Sequence, residues 1–158
     1  KLINMNLTSE IAAHIRQVHF GGNWTAVSLK EQLTGIGRET AVTKIPGFHT
    51  IATLVFHINY YISAIQSVLE GNTLDAKDAY SFDHPPVETD ADWESLLNRI
   101  WADAENIARL VEQLPGNRLT EIFVDEKYGS YYHNLHGMLE HTHYHLGQIV
   151  MIKKMLSK

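Results

Sequence analysis

The stretch YYHNLHGMLEHTHYHLGQIVMIKKML, residues 131–156, has the residue spacing of one long helix. Its apolar residues recur at steps of three and four, which places them on one side of a helix with about 3.6 residues per turn. Lys153 and Lys154 lie near its end, where the helix dipole favours positive charge. The apolar positions are Leu135, Met138, Leu139, Ile149, Ile152 and Leu156.

Three further helical patterns precede this stretch. The first runs from about residue 8 to 33 with a break at two glycines, the second from about residue 50 to 70, and the third from about residue 89 to 115. Asn23 or Thr25 is expected to cap the resumed part of the first. Residues 35–48 are predicted as loop, and residues 117–130 are ambiguous between loop and a short extended piece. Long helices joined by loops, without a convincing strand, predict an all-α four-helix bundle in a single domain, residues 1–158.

The composition of the 158-residue chain excludes several classes of protein. Its formal net charge is −5 and its basic residues form no stripe, which disfavours nucleic-acid binding. The absence of cysteine rules out disulfides, thiolate metal sites and a cysteine nucleophile. No apolar run reaches the roughly 18 residues that span a bilayer, and residues 1–6 lack the apolar segment of a secretory signal. We therefore expect a cytoplasmic protein without a membrane partner.

Histidines are concentrated in the middle of the last predicted helix, in His141-Thr142-His143-Tyr144-His145. Residues four apart lie on one face of a helix, so His141 and His145 can hold one metal ion between them. His143 is rotated by about 200° from each of these two positions, and it cannot join them while the helix stays wound.

A third histidine, His57, lies in the apolar pattern of the second predicted helix. A lone histidine there is most simply a core residue satisfied by one hydrogen bond. Where two helices of a bundle face each other, however, it would complete an open three-histidine site. We therefore predict that His57, His141 and His145 bind one divalent metal ion. Candidate partners for the second nitrogens of these rings are Asn59, Tyr61, Asn134 and Gln148.

The ligand type limits the metal and its chemistry. Neutral imidazole suits zinc or nickel first, with iron, cobalt, copper or manganese as alternatives. Three protein nitrogens leave a position open for water or substrate, as in catalytic sites. An ion there lowers the pKa of a coordinated water or thiol, or polarises an electrophile. The catalytic residues stay unknown from the sequence, since the histidine motif lacks the glutamate of an HExxH sequence.

The remaining histidines have simpler interpretations. His14 and His19 are five residues apart and share no helix face well. His49 and His84 lie in predicted loops, so we expect solvated surface residues, although His84 is also a candidate for covering the mouth of the site.

Two segments resemble the DinB-like superfamily. His141-Thr142-His143-Tyr144-His145-Leu146-Gly147-Gln148-Ile149 resembles the histidine-rich ending of that superfamily's last helix. His57 within Leu54-Val55-Phe56-His57-Ile58 resembles the histidine of its second helix, and Asn23-Trp24-Thr25 is similar to a segment of its first. The resemblance spans nearly the whole chain, with three histidines in the expected order.

The resemblance implies an up-down-down-up four-helix bundle, a metal ion on His57, His141 and His145, and a homodimer. Bacillithiol transferases and mycothiol-dependent isomerases belong to this superfamily. It therefore implies a metal-dependent thiol S-transferase with a small-molecule substrate and a low-molecular-weight thiol as partner. The alternatives are a metal-dependent hydrolase and a non-catalytic metal-binding or stress-related protein. Gly147 is expected to let a neighbouring helix approach closely, and Gln148 to hydrogen-bond within the site.

Overall fold

Four long helices build the fold in a computed structural model of the chain, which describes residues 6–157. They are α1 (Leu7–Phe20), α4 (Ile51–Leu69), α5 (Asp90–Glu112) and α6 (Tyr131–Leu156). Two short helices, α2 (Leu29–Leu33) and α3 (Arg38–Val42), lie between α1 and α4. Single 3₁₀ turns occupy Asp78–Tyr80, Gly116–Thr120 and Glu126–Tyr128. Residues 6–157 contain no strand, so the predicted all-α class is confirmed.

The long helices pack as a bundle in which each has two principal neighbours. Both α1 and α4 pack against α5 and against α6, so the order around the bundle is α1, α5, α4, α6. Their buried apolar side chains form one continuous core. The contact between α4 and α6 matters for function, because these two helices carry the three predicted metal ligands.

Polar side chains at helix N-termini explain where three of the long helices begin, namely α4, α5 and α6. Thr50 and Ser130 each accept a hydrogen bond from the backbone N–H three residues further on. Thr89 and Asp92 form a capping box, in which each side chain accepts from the backbone N–H of the other residue. These contacts satisfy donors that a helix otherwise leaves unpaired. The predicted starts near Thr50 and Thr89 are confirmed.

Two connecting segments differ from the prediction. Residues 35–48 were expected to be loop but contain α3, where Ala41 is fully buried. The indole of Trp93 in α5 donates to the carbonyl of Ile36 at 2.7 Å and fixes the start of this segment. Five-residue helices depend on such tertiary contacts rather than on their own propensity, so the sequence pattern does not predict them. In addition, Ser28 caps α2, rather than Asn23 or Thr25.

The ambiguous segment 117–130 is mostly turns. Its extended part is a single antiparallel bridge between Ile122 and Ser130, which leads directly into α6. None of the helices within residues 6–157 is both long and apolar enough to cross a membrane.

Candidate metal centre

The bundle brings His57, His141 and His145 together. His57 lies in the middle of α4 and is 5% exposed, and His145 in α6 is 7% exposed. Nε2 of His57 and Nε2 of His141 are 3.0 Å apart. One ring nitrogen from each of the three residues lies within 4.8 Å of the other two. The three predicted ligands therefore converge on one point between α4 and α6.

The apolar pattern of the two helices fixes this convergence. On α4, Leu54 and Ile58 flank His57 and are fully buried or nearly so. On α6, Leu146 and Ile149 pack into the same core, which turns the face carrying His141 and His145 toward α4. Packing of the apolar core thus brings the imidazole rings into contact, although a contact between two neutral imidazoles contributes little to stability.

The second nitrogens of two of the rings are held by hydrogen bonds. Nδ1 of His57 donates to the carbonyl oxygen of Ser81 at 3.2 Å, and Nδ1 of His145 donates to Oε1 of Gln148 at 2.8 Å. Both acceptors are carbonyl oxygens, so the proton of each neutral ring lies on Nδ1 and the lone pair on Nε2. Such outer contacts orient metal-binding imidazoles. The predicted hydrogen bond of Gln148 is confirmed.

His141 has a different environment. Its Nδ1 is buried and has no hydrogen-bond partner among the described residues. Its Nε2 faces the Nε2 lone pair of His57 at 3.0 Å, so the pair is stable only if a proton or a cation lies between the two nitrogens. A tetrahedral ion with Zn–N bonds of about 2.0–2.1 Å would separate its nitrogens by roughly 3.4 Å. The donor set therefore fits one borderline divalent ion.

The protonation states also suit metal binding. Burial lowers the pKa of His57 and of His145. Burial, together with the nearby rings of His145 and His57, lowers the pKa of His141 to about 4. All three rings are thus neutral near pH 7, which is the form that binds a metal ion.

Aromatic side chains surround the three histidines. The ring of Phe82 stacks on His57, with centroids 3.7 Å apart and planes 7° apart, and His49 stacks on Phe82 at 4.4 Å. Tyr61 meets the His141 ring edge-on at 4.8 Å, while its hydroxyl donates to Asp78 at 2.8 Å. Burial and this contact raise the pKa of Tyr61, so it remains a neutral phenol. The histidine cluster is therefore bordered by aromatic side chains from α4 and from the segment that follows it.

His143 lies outside the cluster formed by His57, His141 and His145, as its position on the helix predicts. It lines a cavity of about 320 Å³ together with His14, Trp24 and Glu140. It does not belong to the cluster of ring nitrogens that could hold one ion. The structure therefore separates His143 from His141 and His145.

Several expectations about nearby residues were wrong. Asn59 donates to Asp103 at 2.7 Å rather than to a histidine, and Asn134 donates to two backbone carbonyls. Gly147 is exposed, and a Cβ there would meet no atom of the described residues within 4 Å, so the packing of helices within residues 6–157 does not require a glycine at that position. His84 is not simply solvated, because its Nε2 lies 3.0 Å from Oγ1 of Thr53. The expectation for His49 is confirmed, because this residue is exposed, although its ring also stacks on Phe82.

The segment between α4 and α5 contributes to the site in a way that the sequence did not predict. Ser81, Phe82 and Asp78 supply a hydrogen-bond acceptor, a stacking ring and the partner of Tyr61. The segment has no periodic pattern, so its residues give no signal of which side chains face the bundle. The clue that the sequence offers is Phe82, an aromatic residue in a stretch rich in polar residues.

Replacing Gln148 by alanine should lower the affinity for Zn²⁺ by roughly 10–100-fold, because His145 would lose the acceptor that orients its ring. Competition with a chromophoric chelator measures this change. Gln113, an exposed glutamine at the end of α5, provides the matched control when it is replaced by alanine. Equal Zn²⁺ affinity in the Gln148 variant and the control would show that this hydrogen bond has no role in metal binding.

Neither the curated proteins nor the solved structures contain a match to the chain. The sequence profile of the DinB superfamily matches residues 13–149, a range that includes α4, most of α6 and all three histidines. The chain therefore belongs to the DinB superfamily.

Proposed function

We propose that the protein binds one divalent metal ion through Nε2 of His57, His141 and His145 and is a metal-dependent enzyme that acts on a small molecule. The observation that carries this proposal is the convergence of three neutral ring nitrogens within 4.8 Å. It is supported by the Nδ1 hydrogen bonds of His57 and His145, which turn both lone pairs inward. Zinc and nickel match the nitrogen ligands best, with iron, cobalt, copper and manganese as alternatives.

Three protein ligands leave at least one coordination position for another molecule, as in catalytic metal sites. A divalent ion bound there would lower the pKa of a thiol or water and would polarise an electrophile. The chain's own residues would hold the site together: Ser81 and Gln148 fix two rings, and Phe82 covers His57. The aromatic surroundings favour a substrate with an apolar part.

The nucleophile in this proposal comes from outside the chain. The sequence has no cysteine, and the phenol nearest the cluster, Tyr61, keeps its proton in a hydrogen bond to Asp78. A low-molecular-weight thiol is therefore the first candidate, which makes the protein a thiol S-transferase. This choice between thiol and water follows the activities of the superfamily that the sequence resembles, and hydrolysis is the alternative reaction at the same centre.

A second candidate function is metal binding without catalysis. It is favoured by two cavities of about 620 and 320 Å³, both of which are lined by residues other than the three histidines. In that case the ion would mainly join α4 to α6.

The test begins with elemental analysis of the purified protein, followed by assays on protein loaded with zinc or nickel. Conjugation of thiols to electrophiles and hydrolysis of esters and amides are the two reactions to screen. We expect turnover that His145→Ala abolishes and that His143→Ala retains, because His143 lies outside the cluster. Stoichiometric metal with no turnover in either screen would contradict the enzyme proposal and support the non-catalytic function.

A further inference from the structure

A cavity of about 620 Å³ lies between α4, α5 and the segment that joins these two helices. Its lining residues on α4, from Phe56 to Ser67, follow the spacing of one helix face. The volume is within the range of about 300–1,000 Å³ that is usual for small-molecule sites. None of the three clustered histidines lines the cavity, so it is separate from the candidate metal centre.

Hydrogen bonds hold one wall of the cavity in place. The hydroxyl of Tyr60 donates to the carbonyl of Lys77 at 3.0 Å and accepts from the backbone N–H of the same residue at 2.8 Å. Further along the joining segment, Nε2 of His84 lies 3.0 Å from Oγ1 of Thr53. These contacts fix the segment against α4, so the space between the segment and α5 is formed before any ligand enters. Binding in a preformed space requires little ordering of the protein.

The charged groups around the cavity are paired with one another. Nε of Arg99 lies 3.7 Å from Oδ2 of Asp103. Hydrogen bonds from Thr89, together with the nearby guanidinium of Arg38, hold the pKa of Asp92 below its usual range. Two guanidinium groups thus stand against two carboxylates. A charged ligand would therefore lose hydration without meeting an unpaired opposite charge in these two pairs.

Other polar groups of the lining offer few free hydrogen-bonding atoms. Tyr60 and His84 use their polar atoms in the contacts that fix the joining segment. Nδ2 of Asn59 donates to Asp103, and its Oδ1 is enclosed by the protein. Asp75 and Ser95 are exposed, so water solvates them. The polar lining therefore does not select a ligand by charge.

The apolar lining, in contrast, is incompletely covered. Phe56, Tyr60, Val87 and Leu96 all line the cavity and are only half-buried. A molecule in this space would remove part of their apolar surface from water, which is favourable. The rings of Phe56 and Tyr60 can also make edge or offset contacts with another ring.

We propose that this cavity binds an uncharged, apolar organic molecule with an aromatic ring, held by contacts with Phe56, Tyr60, Val87 and Leu96 rather than by an ion pair. The charge pairing and the half-buried apolar lining carry this choice. The site is independent of the proposed metal-dependent function. A second copy of the chain is the rival occupant of the same apolar surface.

Three probes with the same naphthalene ring and different charge test the proposal. The full-length protein is titrated by calorimetry with 2-naphthylmethanol, 2-naphthylmethylamine and 2-naphthoate at pH ~7.5, where the amine and the acid are charged. We expect one alcohol per chain and binding of each charged probe weaker by roughly threefold or more, because each loses hydration without an unpaired partner. Equal affinity for the three probes, tighter binding of either ion, or no saturable binding of the alcohol would overturn the proposal.

Variants locate the alcohol. Ser95 is exposed and lines the cavity, so Ser95→Trp should occupy part of the space and weaken alcohol binding by roughly tenfold or more. Ala76→Trp places the same side chain on the joining segment and should have the same effect. Asn98→Trp, at an exposed position of α5 outside the cavity lining, is the matched control and should bind as the natural sequence does. Unchanged affinity in both cavity variants would overturn the proposal.

His145→Ala separates this site from the metal centre. We expect the variant to bind the alcohol with unchanged affinity, even if it has lost its metal. Loss of binding in this variant would show that the alcohol coordinates the metal, and it would overturn the proposal. Failure of the proposed enzyme function would appear in the turnover assays alone and would leave alcohol affinity unaffected.

Sedimentation with and without the alcohol tests the rival occupant. We expect the alcohol to leave the oligomeric state unchanged. A dimer that dissociates as the alcohol binds would show that the cavity belongs to an interface between two copies of the chain, and it would overturn the proposal.

Discussion

Replacing His57 by alanine should remove most of the divalent metal from the protein. His57 is the single proposed ligand that α4 supplies, and its Nε2 lies 3.0 Å from that of His141. Without it, two histidines on one turn of α6 would have to hold the ion. We expect the Zn²⁺ affinity to fall by more than the roughly 10–100-fold that loss of an outer hydrogen-bond partner costs. Elemental analysis after dialysis, and competition with a chelator, would measure the loss.

His143→Ala is the matched control for this experiment. The substitution is also histidine to alanine, and His143 lies on α6 between the two proposed ligands of that helix. Its side chain, however, lines the cavity that His14 also lines. Its variant should keep nearly all of the metal. If His57→Ala and His143→Ala lose metal equally, the helix-face argument is wrong and the ions bind to histidines in general.

The sequence predicts the fold and the ligand cluster because both depend on helical periodicity. The apolar repeats place the end of α6 at Leu156 and its start at Tyr131, as observed. The same periodicity puts His141 and His145 on one face and His143 on another. His57 is predicted to face the core because it lies among apolar residues of α4, and this helix is long enough for its buried face to be unambiguous.

Residues without periodicity could not be predicted. Ser81 and Phe82 contact His57, yet they belong to a segment whose path is set by tertiary contacts such as Tyr61 with Asp78. The role of Asn59 was mistaken for a related reason. Asn59 is two residues from His57, and residues two apart lie on different faces of a helix. Its side chain therefore contacts Asp103 in α5 and not a histidine.

His19 is a buried histidine, and its effect on the pH dependence of stability could not be predicted from the sequence. It is 1% exposed, its Nδ1 donates to the carbonyl of Ile15 at 2.7 Å, and its Nε2 has no partner among the described residues. Its neighbours Ile15 and Val18 are fully buried, so α1 carries an imidazole into its apolar face. Burial lowers the pKa of His19 to about 4, and the nearby His143 contributes further.

Stability should therefore fall as the solution becomes acidic. The unfolded chain binds a proton at His19 with a pKa of 6.5, whereas the folded chain does so at about 4. Between these values the unfolded state takes up more protons, so the free energy of unfolding decreases with falling pH and levels off below the folded pKa. For His19 alone the difference corresponds to roughly 3 kcal/mol. Urea unfolding at pH ~7.5 and pH ~4.5, with chelator present, measures the loss.

His19→Gln isolates this contribution from that of the other buried histidines. Glutamine keeps an N–H donor for the Ile15 carbonyl but does not titrate, so the variant should lose less stability on acidification than the natural sequence. The remaining loss in the variant belongs to groups such as His141, whose pKa is also lowered by burial. Comparing the change with pH within each protein cancels the cost of the substitution itself, which is the same at both pH values. Identical pH dependence in the two proteins would mean that His19 is hydrated or protonated in the folded state, against the burial that the structure shows.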